Sequence, residues 1–129
     1  IVAKDVNHEK GFTTRSKMHV MLNDDTKTIT IDTPAGNSIT IDEQGMKIEI
    51  KDQNSNKITM DASGIKIESP KNVEIKAGVN LTLSAAATLS IGAASLGVKA
   101  DGDLSLEGAL AKLKAQGITE ISGSLVKIN

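Results

Sequence analysis

The chain has 129 residues, with 15 basic and 16 acidic side chains, no cysteine and a single aromatic residue, Phe12. The net charge of −1 gives no electrostatic reason to expect a nucleic-acid or acidic-membrane partner, and the lack of cysteine excludes disulfides and thiol chemistry. A single-chain core of this size normally relies on aromatic side chains for much of its buried area. The composition therefore argues against an ordinary globular domain and favours a thin, layered interior of Ile, Leu, Val and Ala built by repeats.

The N-terminal residues 1–17 carry mixed charge and no alternation of apolar and polar positions. The sequence therefore predicts a linker here that leaves a preceding module. A first strand is predicted at 18–22, followed by a turn at 23–26. Because the chain begins with Ile rather than Met, we expect it to come from the C-terminal end of a larger polypeptide.

A repeated unit is clearest in four five-residue segments, 28–32, 38–42, 47–51 and 57–61. Each segment reads polar–apolar–polar–apolar–polar, which is the period-2 pattern of a strand with one dry face and one wet face. The links between these segments are short and rich in Gly, Asn, Ser and Pro, as turns are. The sequence therefore predicts consecutive strands joined by tight turns.

After residue 61 the same unit recurs with a spacing that tightens to seven or eight residues. Its apolar pairs are Ile65/Ile67, Val73/Ile75, Leu81/Leu83, Leu89/Ile91, Leu96/Val98 and Leu104/Leu106. Residues 77–98 contain no charge, but Thr and Ser fall between the large apolar residues at strand period, which favours strands over a membrane-spanning helix. Residues 110–115 resemble a helical turn, 117–123 resemble a bulge, and 126–129 restore the alternation.

An all-β fold follows from this pattern, and two inward apolar residues per repeat fit a triangular prism. We predict a trimeric intertwined β-helix over residues 18–129, a needle of octad-like strand repeats in which each chain supplies one wall strand and then turns a corner. A single-chain β-solenoid has the same sequence pattern and stays open as an alternative.

The sequence predicts no catalytic, cofactor-binding or metal-binding residue. His8 and His19 lie eleven residues apart without a glutamate at metalloprotease spacing, so a structural or solvent-facing role is favoured. The aspartates at 24–25 and 101–103 lack the spacing of calcium-binding loops and are typical of turns. We therefore expect neither enzymatic activity nor a cofactor.

A family resemblance is carried by residues 14–25, which contain an Arg-Ser-x-x-His motif followed by Asn-Asp-Asp, and by the Ile-Thr-Ile-Asp segments at 29–32 and 39–42. These residues resemble the VgrG family, whose members form the central spike of type VI secretion systems and are similar to the needles of contractile phage tails. The resemblance spans nearly the whole chain and is to the join between an OB-fold module and the β-helical needle. The irregular glycines and the Ala-rich middle depart from a strict Val-Gly octad.

This resemblance implies a homotrimeric, membrane-piercing spike of a contractile injection apparatus. It implies that a preceding N-terminal part contacts tail-tube and baseplate proteins, that a target membrane is pierced transiently, and that no nucleic acid is bound. It also implies that the spike assembles in the bacterial cytoplasm and is exported when the apparatus fires. The C-terminal end is expected to carry a PAAR-type tip protein or effector. The predicted platform for it comprises Ile121, Ser122, Gly123, Ser124, Leu125, Val126, Lys127, Ile128 and Asn129.

The alternative function is a trimeric fibre or adhesin segment that binds a cell-surface receptor. That function would favour exposed aromatic side chains, and Phe12 is the single aromatic residue of the chain.

Overall fold

The structure is a computed structural model that describes residues 7–129, and its regular part is one antiparallel sheet of seven strands. Each strand pairs with its neighbours in sequence, and the described residues contain no helix. The strands are β1 (Glu9–Thr13), β2 (His19–Asn23), β3 (Thr28–Asp32), β4 (Ser38–Asp42), β5 (Lys47–Lys51), β6 (Lys57–Asp61) and β7 (Gly64–Glu68). The all-β prediction is confirmed at this level, and β3 to β6 have the bounds that the alternation predicts.

The N-terminal part differs from the prediction, because β1 lies inside the residues expected to be an irregular linker. It pairs with β2 along its full length, and Phe12 stands opposite Val20. Gly11 stands opposite Met21, where an added Cβ would clash with the Val20 carbonyl oxygen. Only a glycine leaves room for this pairing. Residues 1–6 of the predicted linker lie outside the described part of the chain.

The six links that join the seven strands share one backbone feature, although the link between β6 and β7 is shorter than the others. In each link, one residue close to the start of the next strand has a positive φ. These residues are Lys17, Lys27, Gly36, Met46, Ser55 and Gly64. In several links this residue donates its N–H to the carbonyl oxygen three residues earlier, as Met46 does to Glu43 at 3.1 Å. A turn followed by a left-handed residue is a common way to close a short hairpin. The repeat of nine or ten residues is therefore a repeat of hairpins.

After β7 the hairpins stop. Residues 69–129 contain no strand or helix, and extended segments alternate with bends at 70–71, 78–79, 86–87, 94–95, 101–102, 109–110, 116–117 and 124. These bends recur every seven or eight residues, in agreement with the spacing of the apolar pairs. The helical turn suggested for 110–115 does not form, since 111–115 contains neither helix nor turn.

By its contacts the chain divides into two units, Ile1–Leu81 and Thr82–Asn129. The sheet belongs to the first unit, and the second consists of the extended segments and bends. Across residues 7–129 the structure has no helix of the length and apolarity needed to cross a membrane.

Candidate functional site

Two apolar side chains from each of β2 to β7 lie on one face of the sheet, which we call the isoleucine face; Met21 of β2 lies on the opposite face. The strand register places them in two continuous cross-strand ladders. One ladder contains Val20, Ile31, Ile39, Ile50, Ile58 and Ile67, and the other contains Leu22, Ile29, Ile41, Ile48, Met60 and Ile65. Because the side chains of a strand alternate between faces, the polar residues between them all lie on the opposite face.

The isoleucine face is more exposed than the polar face. The seven isoleucines of β3 to β6 are 36–45% exposed, whereas Thr30 and Thr40 on the opposite face are half-buried. None of the described residues is buried, so this part of the chain has no core. A sheet with one apolar face is stable only when a second layer covers that face. The described chain contains no such layer.

The total accessible surface of the chain is larger than that of a compact monomer of the same mass. The chain exposes 12295 Å² at a mass of 13.5 kDa. A compact monomer of this mass exposes about 6,500 Å². The excess, on the order of 6,000 Å², exceeds the roughly 800 Å² per partner of a standard interface and is in the range of obligate assemblies.

The backbone of residues 72–129 is a second part of the molecule that lacks interaction partners. The extended segments between the bends form no backbone hydrogen bond with one another. The same segments carry the apolar pairs of the repeat, and Leu81, Leu89 and Leu104 are each more than half exposed. A single-chain solenoid would pair each segment with another segment of the same chain, and this structure contains no such pair. Both the peptide groups and the apolar side chains of 72–129 therefore require partners.

The hairpin links at one end of the sheet are joined by side-chain hydrogen bonds. Asn37 Oδ1, in the β3–β4 link, accepts a bond from the Gln53 N–H at 3.0 Å, and Ser69 Oγ donates to Asn56 Oδ1 at 2.6 Å. At the opposite end, Gln44 Nε2 donates to the Asp25 carbonyl oxygen at 3.0 Å. These bonds skip one hairpin each, so they fix the stacking of the links as well as their conformation.

Asp52 is the centre of a hydrogen-bond network within the link between β5 and β6, which we call the Asp52 network. Its carboxylate accepts bonds from the backbone N–H groups of Asn54 and Asn56, at 2.8 and 3.0 Å, and from their side-chain amides, at 3.2 and 2.8 Å. The side-chain bond from Asn56 contributes most to lowering the pKa of Asp52 to about 2; partial desolvation raises it and offsets part of the effect. At the same end, the Lys57 ammonium holds the pKa of Glu68 below its usual value.

His19, which the sequence assigns a structural or solvent-facing role, pairs with Asp32 on the polar face. Its Nδ1 lies 2.8 Å from Asp32 Oδ1, and the two residues stand opposite each other in the register of β2 and β3. Ser38 stands opposite Asp32 on the other side, so the aspartate separates the histidine from the hydroxyl. A nucleophilic serine needs a direct hydrogen bond to the histidine, and the described residues contain none between these two. Among residues 7–129, no three His, Asp or Glu side chains are grouped to hold a metal ion.

The predicted tip platform, residues 121–129, is extended with one bend at 124, and all of its residues are exposed. Val126 is 48% exposed, the lowest value among its large apolar side chains. The role of this segment as a platform stays a prediction. The feature that sequence reasoning missed is the Asp52 network, for which the Asp-x-Asn-x-Asn spacing at 52–56 is the available signal.

Neither a comparison with protein-family models nor a comparison with curated proteins finds a match for this chain.

The Asp52 network predicts a specific titration. With a pKa lowered from 3.8 to about 2, the ionised carboxylate stabilises the fold above pH 4, and this stabilisation is lost as the pH falls from about 4 towards 2. Asn56→Ala should raise the Asp52 pKa towards 3.8, and Asn54→Ala should raise it less. NMR titration of the Asp52 carboxyl carbon measures both shifts. An unchanged pKa in Asn56→Ala would contradict the assigned cause.

Proposed function

We propose that this chain is the needle part of a homotrimeric, membrane-piercing spike of a contractile injection apparatus. The observation that carries the proposal is the backbone of residues 72–129, which bends every seven or eight residues and forms no hydrogen bonds within itself. Three chains wound around one axis provide each segment with neighbours from other copies. The continuous apolar ladders of the sheet support the same symmetry.

Three copies also explain how the isoleucine face is covered. Each strand has five residues and presents two apolar side chains, which is the width of one wall of a slender triangular prism. Three such walls facing a common axis bury the two ladders in a thin interior that needs no aromatic side chain. The polar faces, where Lys and Glu alternate with Thr, then point to solvent. Exposed charges of both signs oppose edge-to-edge aggregation.

The proposed mechanical role depends on this geometry. Neighbouring strands are about 4.8 Å apart, so the roughly thirteen repeats stack to a needle of about 60 Å. Hydrogen bonds between copies along this length distribute an axial load over many peptide groups. A stiff rod without open edges is suited to transmit thrust from a contracting sheath to a membrane.

The resemblance of residues 14–25 to the VgrG family supports the identity of the apparatus. In that family the part before the needle contacts tail-tube and baseplate proteins, and the needle end carries a conical tip protein. For this chain we therefore propose assembly in the bacterial cytoplasm, export on firing, and a tip protein or effector on residues 121–129.

The assignment of faces predicts opposite effects for two neighbouring substitutions. Ile39→Lys places three charges in one interior layer of the trimer, each at a cost of several kcal/mol, and should abolish the trimer. Thr40→Lys places the same side chain on the polar face opposite Glu49, and should leave the trimer intact. Sedimentation equilibrium gives the native mass, expected at three times 13.5 kDa for the unmodified chain and for Thr40→Lys. A trimer of Ile39→Lys would show that the isoleucine face is not the interior.

Deletion of residues 121–129 tests the proposed platform. The shortened chain should remain a trimer, because most of the repeats are kept, and should lose binding to a PAAR-type tip protein in a pull-down assay. The substitution Lys112→Ala, outside the platform, is the matched control and should keep binding. Unchanged binding by the shortened trimer would contradict the platform.

A further inference from the structure

The outer edge of β7 is the place where the hairpin repeat ends. The link that follows, Ser69-Pro70-Lys71, differs from the six hairpin links because it has no residue with positive φ. Ser69 Oγ donates to Asn56 Oδ1 and accepts a bond from the Lys71 N–H at 3.2 Å, which fixes the start of this link. The next extended segment, 72–77, does not pair with β7, and the edge of β7 stays open.

Resting on the trimer proposed above, we infer that the open edge of β7 pairs in parallel with residues 72–76 of a second copy of this chain. The register is an offset of eight residues. It places Ile65 opposite Val73, Lys66 opposite Glu74, Ile67 opposite Ile75 and Glu68 opposite Lys76 of the second copy.

Chain geometry excludes the same parallel pairing within one chain. Parallel neighbours need a crossover of a dozen or more residues, whereas the link between β7 and residue 72 has three. A segment that follows β7 so closely must therefore pair with another copy if it pairs in parallel.

Side-chain chemistry supports the offset of eight residues. Aligning the apolar pair Ile65/Ile67 with Val73/Ile75 continues both ladders of the isoleucine face. The same alignment brings Lys66 opposite Glu74, and the parallel direction also brings Glu68 opposite Lys76, so both polar pairs are of opposite charge. Opposite charges across strands stabilise a pair of strands, and like charges destabilise it.

The register also continues into the following repeats. An offset of eight places Val73 and Ile75 opposite Leu81 and Leu83 of the next copy. The bends that precede these two segments, at 70–71 and 78–79, are also eight residues apart. The edge of β7 thus acts as the template that sets the register of the needle between copies.

Disulfide cross-linking between copies tests this register, and the lack of native cysteine makes each bond unambiguous. Full chains carrying Lys66→Cys and Glu74→Cys are produced together with tags of different size, and mixed trimers are mildly oxidised. We expect a disulfide-linked dimer of the two tagged chains, and no dimer from either variant alone. Direct neighbours in a sheet are within the Cα separation that a disulfide bridges.

Two further pairs determine the strand direction. Glu68→Cys with Lys76→Cys should cross-link in the parallel register, whereas Glu68→Cys with Asn72→Cys should cross-link in an antiparallel one. Trimers in which Lys66→Cys and Glu74→Cys form no disulfide would overturn this inference but not the trimer. The same holds for trimers in which Glu68→Cys forms a disulfide with Asn72→Cys. Chains that stay monomeric would overturn the trimer and the register together.

Discussion

A single-layer sheet cannot bury its own apolar face, and this constraint determines the rest of the structure. The hairpins pair both edges of β2 to β6 within one chain, yet they leave the isoleucines of β3 to β6 36–45% exposed. After β7 the backbone hydrogen bonds are left open as well. The two parts of the chain therefore differ in what a partner has to provide. The sheet needs its side chains covered, and residues 72–129 need both side-chain and backbone partners.

This difference suggests an order of assembly. Hairpins are local and fold within one chain, and their links are braced by contacts such as those of Asp52 and Asn37. In the proposed trimer, pairing between copies depends on concentration and requires a defined register, which the edge of β7 would set. A needle that begins on a preformed edge avoids the slipped registers to which repeats of similar sequence are prone.

The sequence predicted the parts of the fold that local pattern determines. The strict alternation of polar and apolar residues in segments such as Thr-Ile-Thr-Ile-Asp predicted β3 to β6 and their bounds correctly. A period of two with turn residues on both sides permits few structures other than a strand. It missed β1, where charges and Gly11 hide a strand that depends on its partner β2. It suggested a helical turn at 110–115 because Leu, Ala and Lys have high helix propensity, whereas the segment contains no helix or turn. The exposure of the isoleucine face and the Asp52 network depend on three-dimensional placement that the pattern does not contain.

Amide hydrogen exchange of the native particle, followed by mass spectrometry, tests the central claim most directly. The inner strands of the sheet, β2 to β6, are the internal reference, because each is paired on both edges within one chain. If residues 72–129 pair between copies, their amides should be protected to a degree similar to those of the sheet, and dilution that dissociates the particle should remove protection from 72–129 first. Rapid, unprotected exchange of 72–129 in an undissociated particle would contradict the intertwined needle.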